Sequence, residues 1–415
     1  MAAWSGMEPL ESERHLLREL AAQVAEIASL PIQGERARLW QQMNSLHPLR
    51  PLVLADPQNG WDELVPDTDL ECHDPLLRSW ELGLRRLIFR HRFIHDDWPV
   101  TNWFNVQWVV EVGGYGLQET QVRSEEKGSY TWDPPIKTYA DLEKLHPREI
   151  HVDHAQTAQN VALAEDILGD LLKVRRYGEA TCRCKLTRVL IHLRGLQQMM
   201  LDMYDDPALM HDLMAFLRDD FLHEWQVYER EGVLTLNHQP DSLLGSGSLG
   251  CTDRLPAAGF DGQVRMQDMW CWGESQETVG VGPDQFYEFV LQYQLPLMNR
   301  FGLVDYGCCE PLDNKFDLLI THIPRLRSVA VSPWCSQEIA AEKLGDQYVY
   351  VRKPNPSLIC APQPDFVSAE ADIRRTLEVA RGCNLVIVMK DTSTFHHDPT
   401  RLTRWTDIAK RMVLE

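Results

Sequence analysis

Residues 303–311 have the sequence LVDYGCCEP, in which a short apolar segment is followed at once by two thiols and a carboxylate. The apolar segment predicts a buried strand, Leu303–Tyr306, and Cys308 to Glu310 follow its carboxyl end. The same succession recurs along the C-terminal half of the chain. Its polar clusters are Asn237-His238, Trp270 to Glu274, Cys308 to Glu310, Trp334-Cys335, Lys353 to Asn355 and Lys390-Asp391.

From about residue 195 the predicted strands alternate with amphipathic helices, which is typical of parallel β/α units. A doubly wound open sheet would spread the polar clusters along one edge. A closed barrel would bring the carboxyl ends of all its strands to one mouth, where the clusters could act together. We therefore predict an α/β fold with a (β/α)8 TIM-type barrel over residues 76–415. Residues 1–75 are predicted to form an N-terminal helical extension, in which a helix over residues 8–46 is interrupted at Pro31 and an extended connection follows.

The charge and apolar pattern exclude several classes of partner. The 415 residues carry a formal net charge of -20, whereas nucleic acids and anionic membranes require a basic surface. No stretch approaches the roughly 20 apolar residues that cross a bilayer, and the first 30 residues lack the apolar core of a signal peptide. We therefore expect a cytoplasmic protein that binds neither nucleic acid nor membrane, with a homodimer as the candidate assembly.

Cysteines at neighbouring strand ends suggest a metal. Cys308 or Cys309 as thiolate, with Glu310, would offer ligands that suit zinc, and Cys335 follows the next predicted strand. The alternative is that the thiols are small core residues and that Glu310 caps the following helix. Cys182 and Cys184 form a Cys-x-Cys without a later partner pair, which is a weak indication of metal.

Other polar and aromatic residues at the strand ends are candidates for catalysis and substrate binding. Charged groups there suit proton transfer or an anionic substrate, and indole rings suit an aromatic one. The predicted catalytic residues are Glu310, Glu274 and Asp391. The predicted substrate-binding residues are His238, Trp270, Trp272, Tyr306, Trp334, Lys353 and Asn355. The predicted metal ligands are Cys308, Glu310 and Cys335.

Four stretches of the chain resemble the uroporphyrinogen decarboxylase superfamily, over residues 200–415 and more weakly over 75–200. They are Met203 to Pro207 with the helix behind it, Glu274 to Val281, Tyr306 to Pro311, and Lys353 to Pro356. The resemblance implies a (β/α)8 barrel. The Arg-rich N-terminal segment of the decarboxylase proper has no counterpart here, so the corrinoid-dependent methyltransferase branch is the nearer one.

That branch implies a methyltransferase subunit of a demethylase system, which moves a methyl group from a small molecule to a corrinoid protein with the help of zinc. The zinc-binding His-x-Cys of the branch corresponds to Tyr306-x-Cys308, and its late cysteine falls near residues 390–392, where this chain has none. Only Cys308 carries over as a ligand. We expect an aryl methyl ether as substrate, because Trp270, Trp272 and Trp334 could stack on it. The alternatives are a metal-independent decarboxylase, which would hold its acid with lysines, and a non-catalytic tetrapyrrole-binding protein.

Overall fold

The computed structural model describes residues 8–123, 130–178 and 182–415. Its helices are α1 (Glu11–Ser29), α2 (Pro31–Asn44), α3 (Trp61–Leu64), α4 (Pro75–Phe93), α5 (His154–Leu168), α6 (Leu186–Arg194), α7 (Leu196–Asp205), α8 (Pro207–Arg230), α9 (Pro283–Phe286), α10 (Gln292–Met298), α11 (Phe316–His322), α12 (Gln337–Leu344), α13 (Ser357–Cys360), α14 (Phe366–Val379) and α15 (Thr400–Leu414). Its strands are β1 (Leu52–Ala55), β2 (Trp103–Gln107), β3 (Val109–Val112), β4 (Thr120–Arg123), β5 (Tyr130–Asp133), β6 (Ile150–Asp153), β7 (Lys173–Tyr177), β8 (Cys182–Cys184), β9 (Leu243–Leu244), β10 (Ser248–Leu249), β11 (Trp270–Gly273), β12 (Leu303–Tyr306), β13 (Leu326–Val331), β14 (Val349–Arg352) and β15 (Asn384–Met389).

Seven strands form one parallel sheet in the order β1-β15-β14-β13-β12-β11-β8. Strands β11 to β15 are neighbours in the order in which the chain makes them, with helices in the connections. This arrangement confirms the predicted α/β class. Hydrogen bonding among the described residues leaves β1 and β8 at opposite ends of the sheet, and closure into a barrel stays a prediction.

The sheet curls strongly around residues 245–247. The backbone of Gly245 packs against the Trp272 ring on β11, while Gly247 lies against Val388 on β15. In a flat sheet, these two strands would be about 19 Å apart, at about 4.8 Å per strand. Three consecutive residues cannot bridge that distance, so the strands must bend towards each other. The carboxyl ends of β11 to β15 therefore converge, as the mouth of a barrel would require.

Apolar side chains fill both faces of the sheet. On β14, Val349 and Val351 pack on the concave face against Leu249, while Tyr350 joins the core beneath the helices. The same alternation occurs on β15 and β1. Strands buried on both faces consist of nearly continuous apolar residues, which explains the sequence NLVIVM of β15.

The C-terminal elements agree closely with the sequence analysis, and the earlier part of the chain differs in two ways. The predicted connection after α2 contains β1, which pairs with β15, so the proposed N-terminal extension contributes a strand to the main sheet. Residues 233–236 form the apolar segment before the Asn237-His238 cluster and were therefore expected to be a strand, but they have no regular structure. Their local pattern is apolar, but Gly178 donates a hydrogen bond to the Thr235 hydroxyl instead of continuing a ladder.

Within the described ranges, no helix combines the length and apolar character needed to span a bilayer.

Candidate functional site

A cavity of about 410 Å³ lies at the carboxyl ends of four neighbouring strands. Cys309 follows β12, Trp334 follows β13, Asn355 follows β14 and Asp391 follows β15, each within three residues of the strand's end. Cys360, the last residue of α13, also lines the cavity. Three predicted site residues, Trp334, Asn355 and Asp391, thus meet around one space. The curvature of the sheet brings them there.

A buried lysine stands directly behind this cavity. The Lys353 side chain is 1% exposed, and its Nζ lies 2.7 Å from Asp391 Oδ2. The same ammonium lies 3.2 Å from the carbonyl oxygen of Cys308 and 3.7 Å from Cys309 Sγ. Burial opposes its charge, but Asp391 and the two thiols raise the pKa of Lys353 above its usual value. Lys353 is therefore a fixed cation next to two groups that line the cavity.

The adjacent thiols Cys308 and Cys309 have different environments. Their sulfurs are 3.6 Å apart, and only Cys309 lines the cavity, as expected for neighbours at a strand end. The hydrogen bond from Cys308 lowers the pKa of Cys309; burial opposes this, and the Lys353 ammonium adds to it. The same hydrogen bond, together with burial, raises the pKa of Cys308. Cys309 is therefore the more acidic of the two thiols and the one that a molecule in the cavity could contact.

Two carboxylates with predicted catalytic roles are buried away from the cavity. Glu310 accepts hydrogen bonds from the backbone N–H of Ser275 at 3.0 Å and of Cys308 at 3.1 Å, so it ties the β11 and β12 loops together. Glu274 is 1% exposed, and burial, aided by Glu277 and Glu310, raises its pKa to about 8. Neither is among the residues that line the cavity.

The predicted zinc ligands Cys308, Glu310 and Cys335 are not gathered into one group. Cys335 Sγ accepts the Leu312 N–H at 3.1 Å, and burial raises the pKa of this thiol. Both oxygens of Glu310 are already engaged by backbone N–H groups. The arrangement does not fit a zinc ion held by these three side chains.

Instead, the structure gathers three other thiols. The sulfurs of Cys182, Cys184 and Cys271 all lie within 4.8 Å of one another, and no other such group of His, Cys, Asp or Glu occurs in the described part of the chain. Cys271 is paired with Cys182 across the neighbouring strands β11 and β8. This partner could not be recognised from the sequence, because Cys271 lies 87 residues after Cys184 and no standard spacing connects them.

The remaining predicted substrate-binding residues lie outside this cavity. Trp270 is fully buried and donates to the Gly250 carbonyl, and Tyr306, also buried, donates to Gln294 Oε1 at 3.0 Å. Trp272 lies on the concave face of the sheet and donates to the Gly307 carbonyl. His238 is half-buried, and burial lowers its pKa. None of the four is among the residues that line the cavity.

No family model matches this chain, and no curated protein matches it in sequence. Among solved structures, it is similar to a methyltransferase from Methanosarcina mazei, with 9% sequence identity and a TM-score of 0.35. The match covers 65% of this chain and 74% of that protein. A likeness of this extent assigns no activity to the chain.

Proposed function

We propose that this chain is an enzyme that transfers a methyl group from a small methylated substrate, favoured to be an aryl methyl ether, to a corrinoid carried by a partner protein. The observation that carries the proposal is the cavity in which Cys309, Trp334 and Asp391 meet, with the Lys353 ammonium behind them. The resemblance in the motifs around Cys308 and Lys353 suggests the same class of reaction. The corrinoid supplies the reduced cobalt nucleophile that takes the methyl group.

The residues of the cavity can stabilise the leaving group, whose departure is the difficult part of ether cleavage. When the methyl–oxygen bond breaks, its electron pair stays on the oxygen, and the new anion needs a proton or a nearby positive charge. Cys309 can donate its thiol proton to that oxygen, because its pKa is lowered. The thiolate left behind is stabilised by the Lys353 ammonium 3.7 Å away and recovers its proton from solvent afterwards.

The aromatic wall of the cavity supports a planar substrate. Trp334 is 67% exposed at the rim, so an aryl ring that stacked on it would remove apolar surface from water. Asn355 can hydrogen-bond a ring substituent through its amide group, although its Oδ1 already accepts the Ser357 N–H. The open side of the cavity is where the partner's corrinoid would approach.

Methyl transfer is tested by incubating the protein with a panel of methoxyaromatic compounds and free cob(I)alamin, and by following the cobalt spectrum and the demethylated product. We expect turnover that Cys309→Ser reduces by about 10²–10⁴-fold, the usual contribution of a positioned proton donor. Cys383→Ser, at a half-buried thiol beside the Ala341 carbonyl and outside the cavity, is the matched control and should retain activity. No transfer from any ether, or full activity of Cys309→Ser, would refute the proposal.

A second candidate, a metal-independent decarboxylase, is favoured by a different cavity. This cavity of about 380 Å³ is lined by Arg183 and Lys185, which could bind a carboxylate substrate, and by Arg148, which is already paired with Asp220 and Glu224. The lysines at the sheet ends suit that role less, because Lys353 is already paired with Asp391 and Lys390 donates to the Gly245 carbonyl. Carbon dioxide release without corrinoid, lost in Arg183→Gln and retained in Cys309→Ser, would establish this alternative.

A further inference from the structure

Three buried thiols lie where two neighbouring strands face the helices. Cys182 and Cys184 are two residues apart on β8, so their side chains share one face, and Cys271 on β11 points to the same side. Arg183, between the two β8 cysteines, is exposed, whereas all three thiols are fully buried. The thiols therefore form a compact group inside the protein, separate from the candidate active-site cavity.

The spacing of the three sulfurs matches that of thiolates around one metal ion. Sulfur–metal bonds of about 2.3 Å in tetrahedral geometry place the sulfurs about 3.8 Å apart. The sulfurs of Cys182 and Cys184 are 3.8 Å apart, and those of Cys184 and Cys271 are 3.3 Å apart. A shift of a few tenths of an ångström in one rotamer would bring the shorter distance to the expected value. Three converging side chains thus need little rearrangement to bind an ion.

We propose that Cys182, Cys184 and Cys271 form a buried trithiolate site for a soft cation, zinc(II) or copper(I). An all-sulfur ligand set selects soft ions over calcium or magnesium, which prefer oxygen ligands. Zinc(II) with three thiolates leaves one net negative charge in the interior, whereas copper(I) leaves two. Since a buried charge is costly, zinc(II) is the first choice, and copper(I) is the alternative that needs no fourth ligand.

The position of the site suggests what the ion does. Strand β8 is only three residues long and lies at the end of the sheet, so its few backbone hydrogen bonds hold it weakly. A metal would join it to β11 through Cys271. Gln294 continues this link, because its amide donates to the carbonyls of Cys184 and Glu274 at 2.7 Å each. The ion would fix the edge of the sheet and would take no part in methyl transfer.

The test measures the metal directly on the whole protein. The chain is purified under reducing conditions, loaded with zinc(II) in one arm and copper(I) in the other, and analysed by elemental mass spectrometry and X-ray absorption. We expect one bound ion per chain in at least one arm, with a first shell of sulfur at about 2.3 Å. The ion should be lost in Cys184→Ser and in Cys271→Ser.

Two controls separate this site from other thiols. Cys251→Ser removes another buried cysteine, and the double variant Cys308→Ser/Cys309→Ser removes the cavity thiols; both should keep the ion. Should the cluster variants fail to fold, the absorption spectrum of the unmodified protein still decides, as does a fall in its unfolding temperature after chelation. The proposal is overturned if no ion is bound in either arm, or if the first shell contains nitrogen or oxygen in place of sulfur. It is also overturned by a disulfide between Cys184 and Cys271. An ion that is lost in Cys308→Ser/Cys309→Ser but kept in the cluster variants would overturn it as well.

Discussion

The Lys353 ammonium lies 2.7 Å from the Asp391 carboxylate, which joins the ends of two neighbouring strands of the sheet. The two side chains differ in their contact with water, since Lys353 is 1% exposed and Asp391 34% exposed. The pair therefore consists of a buried cation, Lys353, and a counter-ion, Asp391, that lies at the cavity in contact with water. Its asymmetry has consequences for stability that can be measured.

Asp391→Asn should destabilise the protein more than Lys353→Met. The first change leaves a buried ammonium without its counter-ion, whereas the second leaves a carboxylate that water can still solvate. Breaking a fully buried pair costs about 3–5 kcal/mol, and the exposure of Asp391 reduces this, so we expect a difference of about 1–3 kcal/mol between the variants in urea unfolding at pH 7.

The pH dependence of the same variants gives a second check. Without Asp391, the pKa of Lys353 loses the largest contribution that raises it, and we expect burial to bring this pKa below its unfolded value. A group with a lowered folded pKa loses stability as the pH falls, so Asp391→Asn should recover stability as the pH rises towards 10. Equal losses in both variants, or no recovery at high pH, would contradict this account of the pair.

Cys309 should be alkylated faster than any other thiol in the described chain. Its pKa is lowered by the Cys308 hydrogen bond and by Lys353, and the thiolate is the reactive form. Cys360 lines the same cavity, but burial raises its pKa, so it serves as an internal reference within that cavity. Limited treatment with iodoacetamide followed by peptide mass spectrometry should show Cys309 modified well before Cys360.

Lys353→Met should slow that reaction at neutral pH, because loss of the ammonium raises the pKa of Cys309 and so lowers its thiolate fraction. The rate at Cys360 should stay the same, which controls for opening of the cavity. Modification of Cys360 first, or an unchanged rate at Cys309 in Lys353→Met, would show that the ammonium does not activate this thiol.

The sequence predicted the parallel sheet well because strand and helix patterns there are local. Leu303–Tyr306 has the predicted bounds, since it is a short, largely apolar segment that ends at Gly307. Strand β1 was missed because LVLA is brief and lies in a Pro-rich stretch. Its pairing with β15 joins residues more than 300 positions apart, which no local pattern reveals.

The candidate site was predicted in part for the same reason. Trp334, Asn355 and Asp391 were found because they follow strands that end at one edge of the sheet. The buried roles of Trp270 and Tyr306 depend on contacts with Gly250 and Gln294, which come from other parts of the chain. An aromatic residue next to a strand end has the same local sequence whether its ring faces a cavity or the core, so the sequence alone could not separate these cases.

Trp334→Ala should weaken substrate binding without affecting the fold. The indole is 67% exposed and lines the cavity, so its loss removes a stacking surface and little buried area. Stacking contributes about 0.5–1.5 kcal/mol, which corresponds to a rise in KM of about two- to tenfold with kcat nearly unchanged. Tyr204→Ala, at a 71% exposed ring outside the cavity, is the control. A lower kcat with unchanged KM would place Trp334 outside the substrate-binding surface.

Glu274 should make the protein less stable as the pH rises from 6 to 8. Burial and the neighbouring carboxylates raise its folded pKa to about 8, whereas an unfolded glutamate titrates near 4.3. Between these values the folded state binds a proton that the unfolded state does not, so stability falls with rising pH, by at most about 1.4 kcal/mol per pH unit. Asp305, with a pKa raised to about 6 by burial, acts in the same direction mainly below this window.

Glu274→Gln should therefore flatten the stability curve between pH 6 and 8 and should reduce the slope below pH 6 to the part that Asp305 contributes. Lys315, whose pKa burial lowers to about 8, acts in the opposite direction above this window, because its folded pKa lies below the unfolded one. Urea unfolding at half-unit steps of pH resolves the three contributions, with Glu288→Gln at an exposed carboxylate as the control. If the slope in Glu274→Gln equals that of the unmodified protein, Glu274 is ionised in the folded state. Other contacts of the carboxylate would then offset the free-energy cost of its burial.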